Sequence, residues 1–128
     1  MSTIPKDAVV WFEIPVSNLE KAKAFYSVVT GYPMKDQEMG PNKTAAFGYS
    51  GSDDMNASDR ISGHLYEGKP APKGTGNTIH LAVDNIDEAL NRVGPAGGEV
   101  VSDIIPIPTG RFAYCLDPDG NSIGLYSA

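Results

Sequence analysis

Hydrophobic and polar positions follow a strand pattern and then a helix pattern at the start of the chain. Residues 9–16, VVWFEIPV, are rich in β-branched and aromatic residues, which is typical of a strand. In residues 19–29 the apolar positions recur at helical spacing, and Ser17 or Asn18 can cap the helix. Gly31 is the expected end of this helix. The pattern therefore predicts a strand followed by an amphipathic helix.

The second half of the chain repeats this order. Residues 77–83, NTIHLAV, have the composition of a strand, and residues 84–97, DNIDEALNRVGPAG, have the capping residue and apolar spacing of a helix. When Val16 is aligned with Val83, the apolar positions of the two helices coincide. The chain therefore contains two copies of one strand–helix unit, and this repeat is much longer than those of tight solenoids.

Shorter apolar runs complete each copy. They predict strands at residues 32–37, 44–50, 60–68, 98–108, 111–116 and 122–127, with a polar loop at 50–59 and a DPDGN turn before the last strand. Residues 67–76, EGKPAPKGTG, are dense in Gly, Pro and Lys, and predict a linker. We predict an α+β protein with a βαβββ module in residues 1–66, this linker, and a second βαβββ module in residues 77–128.

The charge and composition narrow the classes of partner. The chain has 128 residues, a formal net charge of −6 and a pI of about 4.7. This excess of acidic residues argues against nucleic acids and anionic membranes as partners, because binding to either requires a basic surface. No segment has the pattern of a signal peptide or a membrane span, and the single cysteine, Cys115, excludes an internal disulfide. We therefore expect a soluble, cytoplasmic protein.

A charged or titratable side chain interrupts the first strand of each copy: Glu13 in one and His80 in the other. Because side chains alternate between the two faces of a strand, both lie opposite the apolar face that packs under the helix. This open face carries Trp11, Glu13 and Pro15 in the first copy, and Thr78, His80 and Ala82 in the second. A solvated face is the simplest interpretation, but Trp11 beside Glu13 favours a lined pocket.

The motifs FEIPVSNLEKAKAFY, IHLAVDNIDEALNRV and DPDGNSIGLY resemble the glyoxalase / bleomycin-resistance / extradiol-dioxygenase superfamily, also called vicinal oxygen chelate proteins. The resemblance covers nearly the whole chain and is closest to a bacterial branch of lactoylglutathione-lyase-related proteins. It implies that the two modules pair into a curved eight-stranded sheet with the helices outside. It also implies a ligand cleft between the modules and a homodimer, since members of this superfamily often form dimers.

In metal-dependent members, the resemblance places the ligands of a divalent cation on the first and last strands of the modules. These positions fall on Trp11, Thr78 and Gly124, and the fourth falls near Gly63. Indole has no available lone pair, a threonine hydroxyl is a weak ligand, and glycine has no side chain. We therefore expect neither a metal nor another cofactor. We also expect no lactoylglutathione lyase activity, which needs a Lewis acid.

A shifted metal site is the alternative. Glu13 and His80 lie two residues beyond the usual positions and on the same strand faces. Together with His64 they would form a 2-His-1-carboxylate set. The match of Gly63 to the cleft argues against this set, because it turns the neighbouring His64 outward.

Two other side chains have simple interpretations. Cys115 lies in the run FAYCLD, where no nearby group would lower its pKa, and a small buried residue is expected there rather than a nucleophile. Arg111 at a strand entrance could bind an anion, but a solvated arginine is the expected case.

Three functional hypotheses follow. The first is a protein that binds a small organic molecule in the cleft, which would be lined by Trp11, Glu13, Thr78, His80 and Tyr126. The second is an enzyme of the lyase/isomerase or dioxygenase type, in which Glu13 and His80 act as acid and base or as ligands of a shifted metal. The third is a protein whose cleft has lost its function and which acts only as a dimer module.

Overall fold

The computed structural model describes residues 8–39, 42–48 and 62–128. The first half contains β1 (Trp11–Val16), α1 (Leu19–Thr30), β2 (Met34–Met39), β3 (Asn42–Phe47) and β4 (Ser62–Glu67). The second half contains β5 (Ile79–Ala82), α2 (Ile86–Val93), β6 (Glu99–Val100), β7 (Ile105–Ile107), β8 (Gly110–Leu116) and β9 (Ser122–Ser127). The predicted α+β class and the repeated order of elements are confirmed. The predicted loop at residues 50–59 lies outside the described residues.

Both helices begin at an asparagine cap. The Asn18 side chain accepts a hydrogen bond from the Lys21 backbone N–H at 2.9 Å, and Asn85 accepts one from Glu88 at 3.0 Å. Each cap satisfies a backbone donor that the first helical turn leaves free. Gly31 follows α1 with a φ of 83°, a left-handed conformation that glycine adopts without strain. The cap of α1 is therefore Asn18, and Ser17 has a different contact, described below.

The described strands form two sheets rather than one eight-stranded sheet. The order is β1-β4-β3-β2 in the first sheet and β5-β9-β8-β6 in the second, where β7 also pairs with β8. In both sheets the first strand of the module runs parallel to the last. The second sheet has five strands because the strand predicted at 98–108 is interrupted. The Ser102 hydroxyl accepts a hydrogen bond from the Tyr114 backbone N–H at 2.8 Å, in place of a backbone carbonyl of a neighbouring strand.

One buried core extends through both halves. Each helix covers one face of its own sheet, and its polar side chains remain exposed, as at Glu20 and Glu88. The helices also contact each other, and Arg92 Nη2 of α2 donates to the Val29 carbonyl of α1 at 3.1 Å. The open faces of both sheets therefore lie away from the helices, which agrees with the predicted arrangement.

The DPDGN turn between β8 and β9 forms hydrogen bonds that link the second half of the chain to the first. Asp117 is buried and accepts a hydrogen bond from the Tyr26 hydroxyl at 2.7 Å. Asn121 Nδ2 donates to the Pro15 carbonyl at 2.7 Å, and Asp119 accepts from the backbone and hydroxyl of Ser17. Burial, reinforced by the charge of Asp117, raises the pKa of Tyr26 well above its ordinary value. The sequence shows this motif only as a turn, whereas in the fold it joins the modules.

Candidate functional site

The open face of the first sheet brings together Trp11, Glu13 and His64. In the parallel pairing of β1 with β4, Glu13 lies beside His64, and Phe12 lies beside Gly63. A β-carbon at position 63 would overlap Phe12, so Gly63 belongs to the helix-covered face. The predicted orientation of Gly63 and His64 is therefore wrong: His64 points to the open face. The register accounts for this difference, because neighbouring residues in a strand face opposite sides.

His64 links the other two side chains. The Trp11 indole Nε1 donates to His64 Nδ1 at 2.9 Å, and His64 Nε2 lies 3.3 Å from Glu13 Oε1. An indole N–H can only donate, so Nδ1 is the acceptor and the neutral imidazole carries its hydrogen on Nε2, toward Glu13. His64 is 3% exposed, whereas the Glu13 side chain is 63% exposed. The indole and imidazole therefore hold in place a carboxylate that faces solvent.

The open face of the second sheet carries a cluster of three rings: His80, Phe112 and Tyr114. We call these residues the aromatic cluster. The ring centroids lie 5.5 Å apart for His80 and Phe112, 5.7 Å for His80 and Tyr114, and 5.4 Å for Phe112 and Tyr114. The contacts are edge-to-face, the geometry that the ring quadrupoles favour. His80 is exposed and Tyr114 is 36% exposed, so the cluster presents aromatic surface to solvent.

Gly124 makes room for this cluster. His80 and Gly124 are neighbours in the parallel pairing of β5 with β9, and a β-carbon on Gly124 would overlap the imidazole. The position where the resemblance implies a metal-binding carboxylate is thus covered by the His80 ring. Of the other three implied positions, Trp11 offers an indole and Thr78 a hydroxyl, which do not suit a divalent cation, and Gly63 has no side chain.

The hydroxyls of Thr78 and Tyr126 already have partners. Thr78 Oγ1 lies 2.6 Å from Ser122 Oγ, and the Tyr126 hydroxyl donates to the Thr109 carbonyl at 2.9 Å. Tyr126 pairs with Phe112 across β8 and β9, which places it on the face of the aromatic cluster. These two predicted lining residues therefore contribute surface to the open face, while their hydroxyls hold neighbouring chain segments.

Glu13 and His80 are not brought together. Glu13 contacts His64, and His80 contacts aromatic rings. Within residues 8–39, 42–48 and 62–128, no group of three or more His, Cys, Asp or Glu side chains is placed to hold a metal ion. The geometry therefore does not assemble the set of Glu13, His64 and His80. Glu13 and His80 occupy equivalent positions in the two copies of the repeat, and they therefore lie on two different sheets.

The remaining candidates behave as structural residues. Cys115 is fully buried, and burial raises the pKa of its thiol from 9.0 to about 11. A protonated thiol is a poor nucleophile, so the prediction of a small buried residue is confirmed. Arg111 Nη2 forms an ion pair with Asp87 at 3.0 Å, both side chains being partly exposed.

Phe112 and Tyr114 belong to the site but are absent from the predicted lining set. Their alternation in the run RFAYCL does indicate that both lie on one face of a strand. That this face also carries His80 depends on the strand order β5-β9-β8, in which β9 lies between them. Because Gly124 in β9 has no side chain, the His80 ring can reach the rings of β8.

Comparisons with known proteins agree with this architecture. Residues 8–125 match the family model described as "Glyoxalase/Bleomycin resistance protein/Dioxygenase superfamily". Curated relatives from Mycobacterium bovis and Mycobacterium tuberculosis, named "Putative glyoxylase CFP32", are 26% identical over 120 residues, which is 92% of this chain. The match covers 44% of those proteins, so the chain spans about half the length of the curated relatives it matches.

Solved structures share the fold. The hypothetical protein SA1046 from S. aureus superposes with a TM-score of 0.67 at 22% identity, covering 97% of this chain and all of that one. TnmS3, an antibiotic binding protein from Streptomyces sp. CB03234, has a TM-score of 0.61 at 28% identity and 98% coverage of both chains. Among the described elements, neither helix has the length and apolar character needed to cross a membrane.

Proposed function

We propose a metal-independent ligand-binding function for this chain, which belongs to the glyoxalase/bleomycin resistance protein/dioxygenase superfamily. The ligand is a small organic molecule with an aromatic ring system, and it binds on the open faces of the sheets. The observation that carries the proposal is the exposed aromatic cluster, which lies over Gly124 where metal-dependent members would have a ligand.

The chemistry of the second sheet supports an aromatic ligand. Edge-to-face packing within the aromatic cluster leaves the exposed surfaces of His80 and Tyr114 free for a further ring. Aromatic pairs contribute roughly 0.5–1.5 kcal/mol beyond the burial of their area. The structure of TnmS3, described as an antibiotic binding protein, supports the same class of function for a related chain of this length.

The chemistry of the first sheet adds a polar anchor. Glu13 is held through Oε1 by His64, and its exposed side chain can accept a hydrogen bond from a ligand. Trp11 stands beside it with its indole N–H engaged, which leaves the ring as an apolar wall. A ligand with an aromatic body and a hydroxyl or amine donor would therefore match both faces.

We further propose that two copies of the chain associate. The support is the resemblance to a superfamily of frequent dimers and the aromatic surface that the second sheet leaves exposed. Sedimentation equilibrium at several protein concentrations measures this directly. A mass of one chain at all concentrations would contradict the dimer, and the ligand proposal would then apply to a single copy.

The ligand proposal is tested by a thermal-shift screen of aromatic antibiotics and metabolites, followed by calorimetry on the compounds that bind. Tyr114→Ala removes the tyrosine ring of the aromatic cluster, and we expect it to weaken binding about tenfold. Val28→Ala, on the exposed side of α1, is the matched control and should bind as the unaltered chain does. Equal affinity in both variants would contradict the proposed site.

A second candidate function is favoured by the contact between Glu13 and His64. A carboxylate oriented by an imidazole N–H can act as a general base toward a bound substrate. If the chain catalyses a proton transfer, Glu13→Gln should abolish turnover while ligand affinity changes less than tenfold. An unchanged rate in this variant would exclude Glu13 as the base and leave the binding function intact.

A further inference from the structure

A groove of about 670 Å³ lies between α1 and the end of α2, on the helical side of the molecule. Much of its wall is apolar: Ala24, Phe25, Val28, Pro95, Ala96 and Pro118. Val28 is 52% exposed, although large aliphatic side chains usually lie on the buried face of a helix. The groove has the volume typical of small-molecule sites.

The charges that line this groove have one sign. Lys21 and Arg92 are among its lining residues, and no acidic side chain is. The chain as a whole has 16 acidic and 10 basic residues, so a groove with cations alone departs from the average surface. Within the described part of the chain, neither Lys21 nor Arg92 forms an ion pair with a carboxylate.

Arg92 has unused donor capacity. Its Nη2 donates to the Val29 carbonyl at 3.1 Å, which fixes the guanidinium at the end of α1. Its Nε is buried, and no acceptor in the described residues bonds to it. A guanidinium has five N–H groups. The buried Nε–H lies out of reach of the groove, so an anion there would accept from the remaining guanidinium N–H groups, which have no partner among the described residues.

We infer that this groove binds an amphipathic carboxylate, that is, an alkyl chain with one carboxylate head. The alkyl chain lies against Val28 and Phe25, and the head group lies at Arg92 and Lys21. This site is on the opposite side of the sheets from the aromatic cluster, and it does not depend on the function proposed for that cluster.

The test uses decanoate as the probe, below its micellar concentration, in titrations of the ¹⁵N-labelled full chain. Decanoate should shift the amides of Ala24, Val28 and Ala96. Decan-1-ol, which has the same chain without the charge, should bind about tenfold more weakly. Arg92→Gln should weaken decanoate binding by a similar factor.

Two further variants keep the test decisive if Arg92→Gln does not fold. Lys21 and Ala24 are both exposed, so Lys21→Gln and Ala24→Trp leave the core intact. The first should weaken decanoate binding and the second, which fills the groove, should abolish it. Tyr114→Ala is the control, and its affinity for decanoate should be unchanged. Equal affinity for decanoate and decan-1-ol, or shifts confined to the aromatic cluster, would overturn the inference.

Discussion

Replacing Asp117 with alanine tests how much the hydrogen bonds of this buried side chain contribute to the free energy of unfolding. Asp117 is 3% exposed. Its carboxylate accepts four hydrogen bonds, from the Tyr26 hydroxyl, from Asn121 Nδ2, and from the backbone N–H groups of Asp119 and Asn121. The alanine would leave the buried Tyr26 hydroxyl without this acceptor and would open the turn that carries Asn121 to the Pro15 carbonyl.

The size of the effect follows from these contacts. A buried donor that loses its partner costs roughly 1–3 kcal/mol, and hydrogen bonds to a charged group contribute about 1.5–3 kcal/mol each. The four bonds share one carboxylate, so their contributions are not additive. We expect the free energy of unfolding to fall by about 3–5 kcal/mol, because the donors around Asp117 lose their charged acceptor together.

Urea unfolding followed by the fluorescence of Trp11 measures this loss. Asp119→Ala is the matched control in the same turn, because Asp119 is less buried and its side chain bonds to the exposed Ser17. We expect this control to lose about 1 kcal/mol. Equal losses in the two variants, or a loss below about 1 kcal/mol for Asp117→Ala, would refute the assigned role of the buried carboxylate.

Three further predictions test the local geometry. Because burial raises the pKa of Cys115 from 9.0 to about 11, its contribution to stability should be complete below pH 9 and be lost as the pH rises through 11. Between pH 8 and pH 10.5, urea unfolding should therefore show the unaltered chain losing about 2 kcal/mol more stability than Cys115→Ala loses. A difference in stability between the two proteins that does not change with pH would contradict the burial. Trp11→Phe removes the donor to His64 Nδ1, so the ¹⁵N shifts of the imidazole should change from the Nε2–H tautomer to a mixture of both; unchanged shifts would mean that the indole does not select the tautomer. Gly124→Ala places a methyl group against His80 and should cost about 1–3 kcal/mol, part of which His80→Ala should restore in the double variant; additive effects would argue against the overlap.

Local patterns were sufficient to predict the elements and their repetition. Asn18 and Gly31 mark the ends of α1 by side-chain and backbone chemistry that acts within a few residues. The interruption between β6 and β7 was not predictable in this way. It depends on a hydrogen bond from Tyr114 to Ser102, which only the folded sheet brings together.

The site was predicted in part, because a site depends on which strands are neighbours. Alternation along β1 correctly placed Trp11 and Glu13 on the open face. The orientation of His64 required the register of β4 against β1, and a difference of one residue reverses the face. The prediction that Glu13 and His80 act as a pair rested on their equivalence in the repeat. Equivalent positions in two modules need not be in contact, and in this fold Glu13 contacts His64 while His80 contacts Phe112 and Tyr114.

The most direct test of metal-independent binding measures metal content and ligand affinity on the same sample. The protein is purified without chelators, its content of Mn, Fe, Co, Ni and Zn is determined by elemental analysis, and the best aromatic compound from the screen is titrated by calorimetry with and without EDTA. We predict substoichiometric metal, equal affinity in both titrations, and weaker binding by Tyr114→Ala. About one metal ion per chain, together with a loss of binding in EDTA, would contradict the account.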